Sequence, residues 1–137
     1  MRGSSSANFT AITLVNSIVA GNTQPTGNEC HVVFANVIVS AGGTLHAPGN
    51  ACRMSAGPGD ITVASPGVEA LADNGGYTRT HAPVIGSPTI DAALPTLCPV
   101  TDQRGMQRPA DGNVDGDARC DIGAFERAAE LFATGFE

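Results

Sequence analysis

The sequence predicts an all-β fold in which short strands stack in successive coils, and three observations carry that expectation. Gly and Pro number 17 and 9 in 137 residues. They are the poorest helix formers, so many short strands joined by turns fit better than a helical bundle. Aromatic residues are only 4% of the chain, with no Trp and one Tyr. The apolar residues are mainly Val, Ile, Leu and Ala, which suit strands buried on both faces or stacked in rows. Finally, two early segments resemble each other. LVNSIVAGNT (Leu14 to Thr23) aligns with FANVIVSAGGT (Phe34 to Thr44), placing Asn36 against Asn16, 20 positions earlier. A period near that length marks a solenoid, and a parallel β-helix of about three coils accounts for it.

The elements follow in order. Residues 1–11, beginning MRGSSS, read as a tag-like or disordered start. Residues 12–67 read as the coils, the third and weaker one running from Asn50 to Gly67 with Ile61 to Val63 as its strand. On adjacent coils strands lie about 4.8 Å apart, so apolar side chains stack in interior rows, and Asn16 and Asn36 read as a corner amide ladder. Residues 68–126 read as an irregular cap region. It opens with VEALADNGG, a short helical turn or irregular segment, and is anchored by Tyr77, Val84, Ile85, Ile90, Ile122 and Phe125. Residues 127–137 read as a tail with a brief helix. A solenoid that ended on a bare edge would recruit another chain. The cap region is therefore expected to fold across the last coil, leaving the N-terminal coil exposed and prone to self-association.

The four cysteines are Cys30, Cys52, Cys98 and Cys120. No C-x-x-C pair exists, so a zinc ribbon or a thioredoxin-like redox site is unsupported. Both Cys30 to Cys52 and Cys98 to Cys120 are separated by 22 positions. Thiols on adjacent coils would meet the 4.4–6.8 Å Cα spacing, roughly, that a disulfide needs. Of the three pairings that four cysteines allow, this one is expected: Cys30–Cys52 as a coil-to-coil staple, Cys98–Cys120 closing the C-terminal region. The alternative is a coincidental spacing with free, buried thiols. An even count at wide spacing suits an exported protein. The first twenty or so residues carry one Arg and an apolar core interrupted by Thr13, Asn16 and Ser17, unlike a signal peptide, so the export signal is expected outside this chain. No transmembrane helix is legible.

Net charge is −6 with all seven cations Arg. They form no basic stripe with interleaved aromatics, so nucleic-acid binding is not expected.

Two groups of residues could carry chemistry. In DGNVDGD, residues 111–117, Asp111, Asn113 and Asp115 alternate before Gly116, matching the first half of a calcium loop. Calcium takes six to eight oxygens, and alternate acidic side chains converge where Gly permits a sharp turn. The bidentate Glu due at the twelfth position is replaced by Ile122, leaving Asp117 or Asp121 to substitute in a shorter loop. Calcium is thus the one cofactor the sequence points to, against a solvated cluster of Asx turns. His81, between Asp73 and Asp91 with Arg79 nearby, would need a pocket and a tuned pKa to act as general acid or base, and reads as structural instead. Asp73 and Asn74 with Gly75 and Gly76 form one turn, and Gly86 to Pro88 another. Asp91 is expected to accept backbone or Arg hydrogen bonds. Asp102, Arg104, Arg108 and Asp121 are expected to pair and pin the terminal loops, since Arg with carboxylate holds irregular backbone in place. His31 and His46 read as isolated and exposed.

LADNGGYTRTHAPVIGSPTIDA and TDQRGMQRPADGNVDGDARCDIGAFE, with NSIVAGNT…NEC upstream, resemble the C-terminal region of bacterial choice-of-anchor Q domain proteins. The resemblance covers roughly residues 12 to 126. It implies a right-handed parallel β-helix in an exported, often cell-surface protein, of which this chain would be a C-terminal piece. It implies no reaction, since members generally lack an assigned activity. Ala93 stands where Gly is common, and LFATGFE resembles a tail of some Gram-negative members. The expected function is non-catalytic, adhesin-like or structural, with a glycan or host surface as ligand. Two alternatives remain. A polysaccharide lyase or hydrolase is disfavoured because the Asn-Thr-Asp, Asp-Asp, Gly-His-Gly and Arg-Ile-Lys motifs of pectin hydrolases are absent. The other is a small calcium- or glycan-binding module.

Overall fold

The computed structural model of the chain describes residues 11–22, 29–30, 32, 36–49 and 52–129. Most of the tag-like start and of the tail, with His31 and Phe34, lies outside these residues. The described chain is β throughout, with six short strands, no α-helix among the described residues and one 3-10 turn, Pro95–Leu97. The strands are β1 (Ala11–Leu14), β2 (Ile18–Val19), β3 (Val37–Ser40), β4 (Leu45–His46), β5 (Met54–Ser55) and β6 (Ile61–Thr62).

Consecutive strands do not pair. Alternate ones do, in two three-stranded parallel sheets ordered β1-β3-β5 and β2-β4-β6. The registers correct the repeat read from the sequence. Val37 pairs with Ala11, 26 positions on, and Leu45 with Ile18, 27 on. Met54 then pairs with Ile38, and Ile61 with Leu45, both only 16 on. LVNSIVAGNT contains parts of two strands, because Asn16 turns the chain at φ 44 between β1 and β2; Asn tolerates this left-handed region better than most residues. Asn16 therefore lies beside Gly42, whose carbonyl accepts its N–H at 3.1 Å, and makes no ladder with Asn36.

The turns joining β1 to β2, β3 to β4 and β5 to β6 lie against one another. Gly43 N–H donates to Pro58 O at 2.9 Å, and the packing leaves no room for side chains. Gly43 sits at φ 62, where an added Cβ would run into Asn16 Oδ1, and a Cβ on Gly57 would lie 2.6 Å from Ser40 O. A polar cluster fixes the second and third turns. Asp60 Oδ1 accepts from Ser40 Oγ at 2.7 Å and Thr44 N at 2.9 Å, and Oδ2 from Gly57 N at 2.7 Å.

The C-terminal region does not fold across one end of the sheets; it runs alongside all three turns. Leu94 is the contact residue. Its carbonyl and N–H bond the Asn16 side chain at 3.2 and 2.8 Å, and its side chain packs on Gly42 and Gly59. The region supplies half the core: Leu45 at the centre of its sheet is closed over by Ala93, Cys120 and Ile122, with Ile18, Ile61 and Val63 around them. A two-residue strand presents too little apolar surface to bury itself, so the sheets depend on this lateral cover. VEALADNGG is no helical turn: Val68 bridges Pro83 and Ala72 bridges Thr80, both antiparallel. Tyr77 and Ile85 anchor nothing. They sit at the tips of turns, 105% and 82% exposed.

Two disulfides join Cys30 to Cys52 and Cys98 to Cys120, with Cα atoms 5.1 and 6.1 Å apart. The pairing is the expected one, although 22 positions is none of the observed strand offsets of 26, 27 and 16. Cys30 lies before β3 and Cys52 before β5, so the first bridge ties the approaches to two neighbouring strands. The second ties the 3-10 turn to the core.

Candidate functional site

The densest chemistry lies in a chain of buried carboxylates that hold the C-terminal region together through backbone N–H groups. Asn113 N donates to Asp91 Oδ2 at 3.0 Å. Asp91 N in turn donates to Asp121 Oδ1 at 2.8 Å, Asp121 N to Glu126 Oε2 at 3.0 Å, and Glu126 N to Asp102 Oδ2 at 2.9 Å. Each acid both receives a bond and passes one on. Asp91, at φ 54, makes the turn that lets it do so. The second oxygens are engaged as well: Asp121 Oδ2 by Arg127 N at 2.7 Å, Glu126 Oε1 by Ala110 N at 2.7 Å, and Asp102 Oδ1 by Arg104 N and Met106 N at 2.8 and 3.0 Å.

Two arginines answer the charge, and a third holds backbone. Arg104 pairs with Asp102 at 2.7 Å, donates to Glu126 O at 2.6 Å, and lies 3.4 Å over the Phe125 ring. Arg108 donates to Asp121 O and Gly123 O at 3.3 and 2.8 Å. Its Nε lies 3.3 Å from Glu126 Oε2, but that N–H is not aimed at the oxygen, so charge rather than a directed bond joins them. Arg127 reaches Pro83 O at 2.8 Å.

Burial and mutual repulsion set the proton affinities. Asp121 is fully buried; burial pushes its carboxyl up to about 6, despite bonds from Arg127 and Asp91, with the Glu126 and Asp91 charges adding to the rise. Burial raises Glu126 too, against the N–H of Asp121 and Ala110 and the Arg108 charge. Burial also pushes on Asp102, but the N–H of Glu126 and the bonds from Arg104 and Met106 together outweigh it, and its carboxyl falls below the usual value. Opposite shifts among neighbouring acids can mark a catalytic site. Here every oxygen faces a backbone N–H or an arginine, which makes the cluster a clasp.

The Asp111–Asp117 loop is a nest of turns. Asp111 Oδ1 accepts from Val114 N and Asp115 N at 2.7 and 3.2 Å, and Oδ2 from Gly116 N at 2.9 Å. Asn113 Oδ1 accepts from Asp115 N, and Asp115 Oδ1 from Asp117 N. Asp117 is exposed and lies 3.5 Å from Arg119, whereas Asp121 is buried in the clasp. Among the described residues no three His, Cys, Asp or Glu side chains gather as a metal site. The oxygens of Asp111, Asn113 and Asp115 gather on the backbone N–H groups of one loop, whereas Asp121 is turned away into the clasp.

Asp73 Oδ1 accepts from Gly75 N at 3.1 Å, and the Asn74 amide bonds Thr80 O and Oγ1 at 2.9 and 3.1 Å. His81 Nδ1 lies 2.7 Å from Glu69 O; a carbonyl only accepts, so Nδ1 carries the proton. His46 is neither isolated nor exposed. It is half-buried on β4, with Nδ1 2.9 Å from Ala47 O and Nε2 3.1 Å from Thr62 Oγ1 on the paired strand.

An open groove of about 870 Å³ runs between the end of β2 and the Val68–Leu71 and Arg79–His81 stretches. Gln103 and Ala124 also line it. Sequence reasoning did not find this groove, because its walls come from segments far apart in the chain. It also missed Glu126 and Arg127; the signal available was a carboxylate and a guanidinium directly after the apolar run Ile122 to Phe125.

No family model matches the chain, and neither does any curated protein or solved structure. No helix among the described residues is long and apolar enough to cross a membrane.

Proposed function

We propose that the chain is a non-catalytic, disulfide-stapled part of a right-handed parallel β-helix, serving an adhesin-like or structural role in an exported or cell-surface protein. The observation that carries this reading is the pairing of alternate strands into two parallel sheets, β1-β3-β5 and β2-β4-β6. A chain that visits two sheets in turn and returns in parallel register advances as a coil, and parallel crossovers are right-handed in about 98% of cases. Two disulfides suit an oxidising compartment. The ionisable groups of the clasp are used to hold backbone, which favours a scaffold over an enzyme. The similarity to choice-of-anchor Q proteins, set out from the motifs above, points the same way.

Surface labelling of intact source cells with an antibody raised against the chain tests the location. Signal before lysis is expected, and signal only after lysis would refute it. Incubation with polyuronides should release no unsaturated product; release would favour a lyase. The groove, with His81, Arg79 and Gln103 along it, favours a second reading as a glycan-binding module. Calorimetric binding of an oligosaccharide that His81→Ala abolishes would establish that reading.

A further inference from the structure

We infer that the groove takes an acidic glycan, with the carboxylate of a uronic acid seated on Arg79. This rests on the second reading above, of the groove as a glycan-binding site, and names the kind of sugar. The residues that carry it lie between Glu69 and Gln103, and none belongs to the strands or to the β2–β3 connection.

Local structure aims these side chains. Ala72 and Thr80 exchange backbone hydrogen bonds at 3.1 and 3.0 Å, and Glu69 N donates to Ala82 O at 2.7 Å. The stretch around Thr80 thus runs as a strand against the stretch around Ala72, and alternate side chains on a strand leave opposite faces. Thr80 is turned inward and buried, so Arg79 and His81 leave the other face together, exposed and along the groove. Gln103 holds this stretch in place: its Nε2 donates to Thr78 Oγ1 at 2.6 Å and to Arg79 O at 3.3 Å.

The groups left for a ligand are one cation and several acceptors. Arg104, Arg108 and Arg119 are each paired with a carboxylate, and Arg127 holds a carbonyl. Among the described residues the Arg79 guanidinium has neither kind of partner. A carboxylate matches such a guanidinium in shape and charge and takes two parallel bonds from it. His81 donates Nδ1–H to Glu69 O at 2.7 Å, which leaves Nε2 a bare lone pair. Gln103 commits its NH2 to Thr78 and Arg79, which leaves Oε1 as an acceptor. The exposed Glu69 carboxylate enters no ion pair among the described residues.

This set selects the ligand. It asks for one carboxylate together with several hydroxyl donors, which is the composition of a uronic acid. A neutral sugar would leave Arg79 unmatched. A dense polyanion, such as a sulfated or phosphodiester chain, would set further negative groups against Glu69 in a chain whose net charge is −6. The groove holds about 870 Å³, towards the upper end of ligand sites. It is open, which admits an internal stretch of a polysaccharide.

Titration calorimetry of the full, disulfide-intact chain tests this with three probes of equal length: an oligogalacturonate, its methyl ester and a neutral malto-oligosaccharide. The acid should bind. The ester, which keeps the hydroxyls and loses the charge, and the neutral oligomer should each bind at least about tenfold more weakly, the worth of a charge-assisted hydrogen bond. Arg79→Gln should lower affinity for the acid by the same factor and leave that for the ester unchanged, whereas His81→Ala should remove binding of both. Both positions are exposed, and circular dichroism checks that each variant keeps the wild-type fold. An ester that binds as tightly as the acid, or a folded Arg79→Gln chain that binds the acid like the wild type, would overturn the inference and leave the groove a glycan site. If none of the three probes binds, the inference and the reading beneath it both fail.

Discussion

Lowering the pH from about 7 to about 5 should make this protein more stable, the reverse of what carboxylates with depressed pKa values do. The effect originates at Asp121, which is fully buried and has its carboxyl raised from 3.8 to about 6. Between those values the folded chain holds a proton that the unfolded chain has released. Protonation therefore favours the folded state, and stability rises as pH falls through 6, levelling off near the unfolded value. The full shift of two pKa units corresponds to roughly 3 kcal/mol at most, of which about 1.4 kcal/mol is gained between about pH 7 and 5, equivalent to a rise of roughly 4 °C in the unfolding midpoint for a chain of this size. Glu126 is also raised and acts in the same direction. Asp102 is lowered. Its contribution is present above its unfolded value and is lost as pH falls further, so the profile turns down below about pH 4. The assay is urea unfolding with disulfides intact, followed by circular dichroism at closely spaced pH values. Asp121→Asn keeps the shape and removes the titration, so its profile should be much flatter between about pH 7 and 5. A wild-type midpoint that is flat or falls over that interval would refute the reasoning about the clasp.

Three other outcomes follow from the same geometry. Arg108→Met leaves Asp121 O, Gly123 O and the Glu126 carboxylate without their cation, and should cost about 3–5 kcal/mol in urea unfolding; a loss under 1 kcal/mol, roughly the worth of a surface pair, would place Arg108 outside the clasp. Replacing Cys98 and Cys120 together by Ser opens a bridge spanning 22 positions into the core, and should lower stability by about 3 kcal/mol; an unchanged midpoint would contradict the assigned bridge. Added calcium, set against EDTA, tests the Asp111–Asp117 loop: a cluster of Asx turns held by backbone N–H should leave the unfolding midpoint unmoved, and a calcium-dependent rise would show that the loop holds the ion.

The strand-rich class and the cysteine pairing were legible in the sequence, and the register was not. Matching Ile18–Val19 to Ile38–Val39 is the natural alignment of two Ile-Val pairs, yet Ile38 stacks on Ile12 and Ile18 beneath Leu45. A two-residue strand carries no alternation from which to fix its partner, and the offset changes from 26 or 27 to 16 because the β2–β3 connection is much longer than the β4–β5 one. The role of the C-terminal region was half legible. Its turns at Asp73 to Gly76 and Gly86 to Pro88 announce themselves through Gly, Asn and Pro. That Leu94 and Ile122 would pack along the flank of the sheets was hidden, since such contacts span 78 residues in the case of Asn16 and Leu94. In the clasp, Asp91, Asp102, Asp121, Arg104 and Arg108 stood out as charges in a polar segment. The acids' main partners are backbone N–H groups and the arginines' include backbone carbonyls, groups that nearly every residue possesses, so no side-chain pattern points to them.

Backbone nuclear Overhauser contacts in the isotope-labelled chain test the central arrangement most directly. Parallel pairing predicts cross-peaks linking Ile12 with Ile38, Ile38 with Met54, Ile18 with Leu45 and Leu45 with Ile61. Close Hα–Hα contacts between neighbours in sequence, β1 with β2 or β3 with β4, would mean antiparallel hairpins and would contradict it.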